Sequence, residues 1–213
     1  MRVGGSVRVP GDKSITHRAL LLAAMCRGPS HIGGALVSLD ARASARVLRQ
    51  LGAGVTPLRA EAALTITGHG RLRAPGAALH CGNSGTTARL LTGLLAAHRF
   101  SATITGDRSL RRRPMRRVTE PLERRGARFE ADTDGLPLRI RGGSLRSCRH
   151  ERPGASAHRK SALLLAGVAG GVEVAVREPS GRSRDHTERM LRSFGYLLAE
   201  RDGWIEFART GHL

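Results

Sequence analysis

Aromatic side chains are nearly missing from this 213-residue chain, where Phe, Tyr and Trp together make up 3%. A core must therefore be built from Leu, Val, Ile and Ala. Cysteine is scarce too: Cys26, Cys81 and Cys148 are odd in number and lack CxxC or His-pair spacing, which excludes a disulfide framework and a zinc site and leaves a reducing cytoplasm as the expected location. No apolar run approaches the roughly 18 residues needed to span a bilayer. The longest, residues 19–25, covers about two helical turns, and the first residues carry no apolar signal segment. Hydrophobic residues still make up 40%, enough to argue against global disorder and for a sizeable core.

Arginine is what the chain has in excess. Its 36 basic and 17 acidic residues give a formal charge of +19. Such a surface suits either a nucleic-acid backbone, whose counterions it would release, or small anionic ligands. No RNP-type aromatic motif, zinc-finger spacing or lysine tail accompanies the charge, so a specific nucleic-acid partner is not expected. Lys13 and Lys160 are the only lysines. In a chain that otherwise uses Arg, they point to positions that need a compact ammonium.

Three segments begin alike: residues 11–22 (GDKSITHRALLL), 82–91 (GNSGTTARLL) and 154–165 (GASAHRKSALLL). Each is a Gly/Ser turn that runs into an Ala/Leu-rich helix. Each is followed by an amphipathic helix ending at a glycine, Gly52, Gly126 or Gly195, which reads as a C′ cap. Two short alternating runs come next, the second being residues 64–68, 136–142 and 204–208, whose period of two reads as strands. The spacing of equivalent glycines sets a repeat of roughly 70 residues, about 7–75, 76–145 and 146–213. The expected fold is α/β, one domain of three strand–helix–strand–helix–strand–strand units.

Helix starts of this kind present free N–H groups and the positive end of a dipole, with glycines that let an anion approach the backbone. If the three starts pack together, they form a mouth for phosphate and carboxylate groups. Taken singly, each start also reads as an ordinary N-cap. The first is the most specific: Lys13 supplies a point charge, Ser14 a hydroxyl, and Arg18 lies one turn on, at i+4 from Ser14.

The string Val9-Pro10-Gly11-Asp12-Lys13-Ser14-Ile15-Thr16-His17-Arg18 resembles the first signature of the 5-enolpyruvylshikimate-3-phosphate synthase family. Residues 82–89 (GNSGTTAR) resemble its second signature. Gly106-Asp107-Arg108-Ser109-Leu110 with Arg113-Pro114-Met115 resembles the third, and residues 183–188 (SRDHTE) a later block. In order, the likeness covers roughly residues 5 to 207. It implies a domain of the enolpyruvyl-transferase fold, with three pseudo-threefold-related βαβαββ units. It also implies transfer of the enolpyruvyl group of phosphoenolpyruvate to the 5-hydroxyl of shikimate 3-phosphate, a step in aromatic amino-acid (chorismate) biosynthesis, with no metal or organic cofactor. By the same resemblance Lys13, the one catalytic candidate, touches both substrates, and Ser14 and Arg18 hold the shikimate ring and carboxylate. Gly85 and Arg113 meet phosphoenolpyruvate, with Asn83 and Thr86 beside them in the substrate-binding set. Ser156, Ala157, His158, Ser183 and Arg184 surround the 3-phosphate corner.

Two local departures stand out. His158 replaces the Gln of the family pattern, and residues 179–182 before Ser183 run one residue long. The larger departure is length. The family has two such domains closing over the ligands, and the second carries the acid/base carboxylates. This chain therefore reads as a fragment, the N-terminal, shikimate-3-phosphate half, expected to bind that ligand weakly and to turn over slowly or not at all unless a second domain or chain complements it. Two alternatives stand beside this reading: a UDP-N-acetylglucosamine enolpyruvyl transferase, against which the KSITHR string and the SRDH block argue, and a non-catalytic anion- or nucleic-acid-binding domain of the same fold. Away from the family pattern, Arg113 reads as one of a solvated arginine run (Arg111, Arg112, Arg113), and Arg184 as an ion-pair partner of Asp185 or Glu188.

Overall fold

The computed structural model describes residues 4–5, 9–60, 62–151 and 154–208. Helix α1 (Lys13–Met25) leads into strand β1 (Arg27–Ile32), helix α2 (Leu39–Gln50) and strands β2 (Gly54–Val55) and β3 (Leu64–His69). The middle third runs β4 (Leu79–His80), α3 (Gly85–Ala96), β5 (Ser101–Thr105), the short α4 (Arg108–Arg111), α5 (Arg116–Glu123), β6 (Arg128–Glu130) and β7 (Leu138–Arg141). The last third runs β8 (Cys148–Glu151), α6 (Ala157–Gly170), β9 (Val174–Arg177), α7 (His186–Ser193), β10 (Leu198–Arg201) and β11 (Trp204–Phe207).

Three sheets result, in the orders β1-β3-β2, β4-β5-β7-β6 and β8-β9-β11-β10. The second and third share one topology: a parallel pair (β4–β5, β8–β9), then two antiparallel steps through the fourth strand to the third. The first sheet has the same antiparallel steps among its described strands. The opening strand expected for the first repeat precedes Val9 and lies outside the described residues. In each repeat, the second run anticipated as a strand is the central partner of the hairpin.

Helices α1, α3 and α6 are apolar nearly all round, so they belong inside. Leu20–Leu22, Leu90, Leu91, Leu94 and Leu163–Leu165 are at most 1% exposed, and burial of each such side chain stabilises by about 1.5–3 kcal/mol. Helix α3 packs on both of the others, most extensively on α6, and α1 is tied to α6 by the hydrogen bond from Arg18 to Ser161. The sheets lie outside them, α1 on β3, α3 on β5 and β7, α6 on β9. The second helices α2, α5 and α7 are amphipathic and bury one face. Each ends where expected: Gly52, Gly126 and Gly195 take φ of 92°, 110° and 84°, the left-handed turn of a helix C′ position. At Gly93 a Cβ would stand 2.2 Å from the Ala162 carbonyl oxygen, so the closeness of α3 and α6 depends on that missing atom.

Candidate functional site

The three inner helices begin at one end of the molecule, and their first turns are built alike. The N-caps are Asp12, Ser84 and Ser156, whose side chains accept from the N–H of Ile15, Thr87 and Arg159. One helical position later stand Lys13, Gly85 and Ala157, and at the next Ser14, Thr86 and His158. So each start is both an ordinary N-cap and part of a shared mouth. The second-position side chains knit the mouth: Thr86 Oγ1 lies 3.2 Å from His158 Nε2, joining α3 to α6, and Arg184 Nη1, just before α7, donates to Ser14 Oγ at 3.4 Å.

Cations converge here from four segments. The His158 imidazole is pushed down to about 4, first by burial and then by the charges of Arg89, Arg18, Arg184 and Lys13. It is therefore neutral at pH 7, and with the Thr86 hydroxyl as its partner it presents one donor and one acceptor. Burial, with Arg113 and Arg117 nearby, lowers Arg89 in turn.

Arg18 is 2% exposed and firmly held. Its Nε donates to Thr187 Oγ1 (2.6 Å), Nη2 to Ser161 Oγ (2.7 Å) and Nη1 to the Ser14 carbonyl (3.0 Å). The i+4 spacing thus links Arg18 to the backbone of Ser14, while the Ser14 hydroxyl faces Arg184. Lys13 is half-exposed and ion-paired with Asp40 at the start of α2. Arg113 parts company with its exposed neighbours Arg111 and Arg112: its Nη2 donates to Asn83 Oδ1 and, at 3.4 Å, to Ser109 Oγ. Asn83 Nδ2 in turn donates to Asp107 Oδ2 at 2.7 Å. Gly85 lies between two guanidinium groups, since a Cβ there would meet Arg89 Nη1 at 2.7 Å and Arg113 Nη1 at 3.2 Å.

On the far side, Ser156 and Ser183 meet at one carboxylate. Glu178 accepts from both of their backbone N–H groups and from the Ser183 hydroxyl. Glu188 pairs with Lys160 at 2.7 Å, which leaves Arg184 turned toward the mouth. Arg182, in the loop before α7, pairs with Glu200.

The carboxylates at the mouth are committed. Asp12 is held below the usual carboxylate range, chiefly by the Ile15 N–H, and Asp107 chiefly by the Leu110 N–H and then by Asn83. The site is thus a rosette of donors and cations, suited to polyanions. Among the described residues no group of His, Cys, Asp and Glu is placed to hold a metal ion. Among the described residues no helix is long and apolar enough to cross a membrane.

Arg89, Asp40 and Glu178 are absent from the sequence-derived set. Arg89 had a signal: it follows Gly85 by four residues, as Arg18 follows Ser14. Asp40 and Glu178 had none, because their roles depend on contacts between distant segments.

A protein-family model described as "EPSP synthase (3-phosphoshikimate 1-carboxyvinyltransferase)" matches residues 1–211. A 3-phosphoshikimate 1-carboxyvinyltransferase of Xanthomonas campestris pv. campestris (strain B100) is 47% identical over 198 residues, covering 92% of this chain and 45% of that protein. One from Anaeromyxobacter sp. (strain K) is 50% identical over 193 residues, covering 90% and 43%. The solved EPSP synthase of Acinetobacter baumannii superimposes with a TM-score of 0.91 at 41% identity, over 98% of this chain and 48% of that one. The chain thus spans somewhat less than half the length of these relatives, and within that span it belongs to the EPSP synthase family.

Proposed function

We propose that this chain forms the shikimate-3-phosphate side of a 3-phosphoshikimate 1-carboxyvinyltransferase. The complete reaction joins the enolpyruvyl group of phosphoenolpyruvate to the 5-hydroxyl of shikimate 3-phosphate and releases phosphate. The observation that carries this reading is the convergence of three helix starts and five cationic side chains (Lys13, Arg18, Arg89, Arg113 and Arg184) on one face of a family member. Both substrates are polyanions, and charge-assisted hydrogen bonds contribute about 1.5–3 kcal/mol each. Lys13 bridges the substrates. Ser14 and Arg18 hold the ring and carboxylate, and Asn83, Gly85, Thr86 and Arg113, with Arg89, receive phosphoenolpyruvate. Ser156, Ala157, His158, Ser183 and Arg184 surround the 3-phosphate. His158, neutral and tied to Thr86, takes the bridging place of Gln.

General acid–base chemistry needs a side chain, such as an imidazole, carboxylate or amine, free to exchange a proton with the reacting groups. Asp12, Asp40 and Asp107 are held in caps and ion pairs, Lys13 is paired with Asp40, and His158 is tied to Thr86. We therefore assign the acid and base to a complementary second domain or chain that closes over this face. The three repeats, about 7–75, 76–145 and 146–213, are taken as one domain, supported by the packing of α3 on both α1 and α6. The setting is cytoplasmic.

Calorimetry with shikimate 3-phosphate, and separately with a short DNA duplex, each at two salt concentrations, tests the reading. Saturable binding of shikimate 3-phosphate supports it. Binding of the duplex alone, with a steep salt slope, overturns it in favour of a nucleic-acid-binding domain. A steady-state turnover by the chain alone, at the rate of ordinary enzymes of this type, would overturn the assignment of the acid and base elsewhere.

A further inference from the structure

Behind the mouth lies a charged cluster that the proposed ligand contacts do not use. Lys160, the second of the two lysines, has a side chain only 2% exposed. Its Nζ stands 2.7 Å from Glu188 Oε1 and 3.1 Å from Glu178 Oε2, and donates to the Ser183 carbonyl at 3.4 Å. Glu188 in turn supports the charge of Arg18. Two cations and two carboxylates thus balance, which lets charged groups persist out of water.

Glu178, with a side chain 5% exposed, is the hub of this set. It accepts the Ser156 N–H at 2.7 Å, the Ser183 N–H at 3.0 Å and the Ser183 hydroxyl at 2.9 and 2.7 Å to its two oxygens. One carboxylate therefore fixes the N-cap of α6 relative to the loop that leads into α7. Burial pushes Glu178 up, but the hydrogen bonds from Ser183, Ser156 and Lys160 outweigh it and hold the carboxyl below its ordinary value.

We propose that Glu178, braced by Lys160, is a positioning residue that sets the Ser156–Ser183 corner to the width of a phosphate group and supplies the competing acceptor for the Ser183 hydroxyl. In the free chain the Ser183 hydrogen points inward to Glu178, so the mouth sees only oxygen lone pairs. A phosphate dianion offers acceptors alone, so it can use this hydroxyl only by drawing the hydrogen away from Glu178. Glu178 keeps both backbone N–H groups and Lys160, so the corner holds its shape while one hydrogen changes partner. A ligand with a plain hydroxyl in place of the phosphate can donate to Ser183 and leaves the hydrogen where it is.

This inference rests on the reading of the mouth as a shikimate-3-phosphate site, and its test separates the two. Glu178→Gln is compared with the unaltered chain for binding of shikimate 3-phosphate and of shikimate, and for amide hydrogen exchange at Ser156 and Ser183 without ligand. The expected result is a loss of about tenfold or more in affinity for shikimate 3-phosphate, a change of less than about twofold for shikimate, and exchange at both amides faster by about tenfold or more. Unchanged exchange at Ser183, unchanged affinity for the phosphorylated ligand, or equal losses for both ligands overturns the positioning role. If the unaltered chain binds neither ligand, the functional reading fails, and the exchange rates alone then decide whether Glu178 holds the corner. If Glu178→Gln does not unfold cooperatively, Glu178→Asp is judged by the same outcomes, since it keeps the charge but withdraws it by one methylene.

Discussion

Arg125 stands where the other two repeats place Leu51 and Phe194, immediately before the capping glycine, and it is 2% exposed. Its Nε donates to the Arg146 carbonyl at 2.8 Å, but neither Nη has a hydrogen-bond partner among the described residues. Burial lowers its pKa, with only the Cys148 thiol opposing. A buried charge without compensation is costly, and an apolar residue of similar reach restores the repeat pattern. Arg125→Leu is expected to stabilise the fold by about 1–4 kcal/mol, read as a higher denaturant midpoint with an unchanged m-value. Gly85 makes the opposite case, in which fold and site separate. The atoms nearest an added Cβ are the far ends of Arg89 and Arg113, which can swing away. Gly85→Ala should leave the unfolding midpoint nearly unchanged but weaken anion binding about tenfold, because displacing one charge-assisted hydrogen bond costs about 1.5–3 kcal/mol. Titrating the two proteins with phosphoenolpyruvate in the presence of shikimate 3-phosphate checks this. Equal affinities would show that the two guanidinium groups do not meet the ligand.

Among the elements, the α3–α6 contact decides how closely the helix starts can gather. In an exposed helix, Gly→Ala gains up to about 1 kcal/mol of propensity. At Gly93 the new Cβ would meet the Ala162 carbonyl at 2.2 Å, and backbone cannot yield as a side chain tip does. Gly93→Ala should therefore destabilise by about 1–3 kcal/mol in spite of the propensity gain. Gly170→Ala, near the end of α6, where the closest atom is the Ala97 Cβ at 3.4 Å, should stabilise slightly. Thermal unfolding of both variants gives the two signs, and a stabilised Gly93→Ala would mean that the helices have room to spare. The order of the elements was legible because each repeat carries its own punctuation: a Gly/Ser start, a glycine stop and a period-two strand. The cationic starts were legible for the same reason, as local signals repeated three times. What stayed hidden depends on tertiary contact. Away from the family pattern, local spacing offers Arg184 an ion pair with Asp185 or Glu188, whereas burial brings Lys160 to Glu188 and leaves Arg184 at the mouth. By local composition alone Arg113 is indistinguishable from its neighbours in the arginine run, and only the contacts with Asn83 and Ser109 set it apart. The role of Glu178 exists only where β9, α6 and the loop before α7 come together.

For the whole molecule, charge and buried imidazoles act in the same direction. Formal charge is already +19 with every His neutral, so each proton gained on acidification adds to self-repulsion. His17 is fully buried and held at about 4, by burial above all, against an ordinary value of 6.5. It belongs to a chain of hydroxyls joining three helices: His17 Nδ1 lies 2.8 Å from Ser44 Oγ, which lies 2.7 Å from Thr87 Oγ1, and the Thr87 hydroxyl donates to Ser84 Oγ at 2.7 Å. Because Thr87 gives its hydrogen to Ser84, it accepts from Ser44, and Ser44 then accepts from His17 Nδ1–H. The neutral Nδ1–H tautomer is thereby specified, and Nε2 is left without a partner among the described residues. The folded-state pKa lies below the unfolded one, so the contribution of His17 is complete above about pH 6.5 and is lost as pH falls toward 4. At about pH 5 the loss from this one group is on the order of 2 kcal/mol. His158, depressed to about 4 but only partly buried, adds a smaller loss over the same window. Urea unfolding at about pH 8 and about pH 5 should show the difference. Added salt should recover the part due to surface repulsion and leave the buried histidine part in place. His17→Gln keeps a side chain able to donate to Ser44 but cannot titrate, so it should flatten the profile between those two pH values. An equally steep profile in that variant would move the origin of acid sensitivity from His17 to the carboxylates.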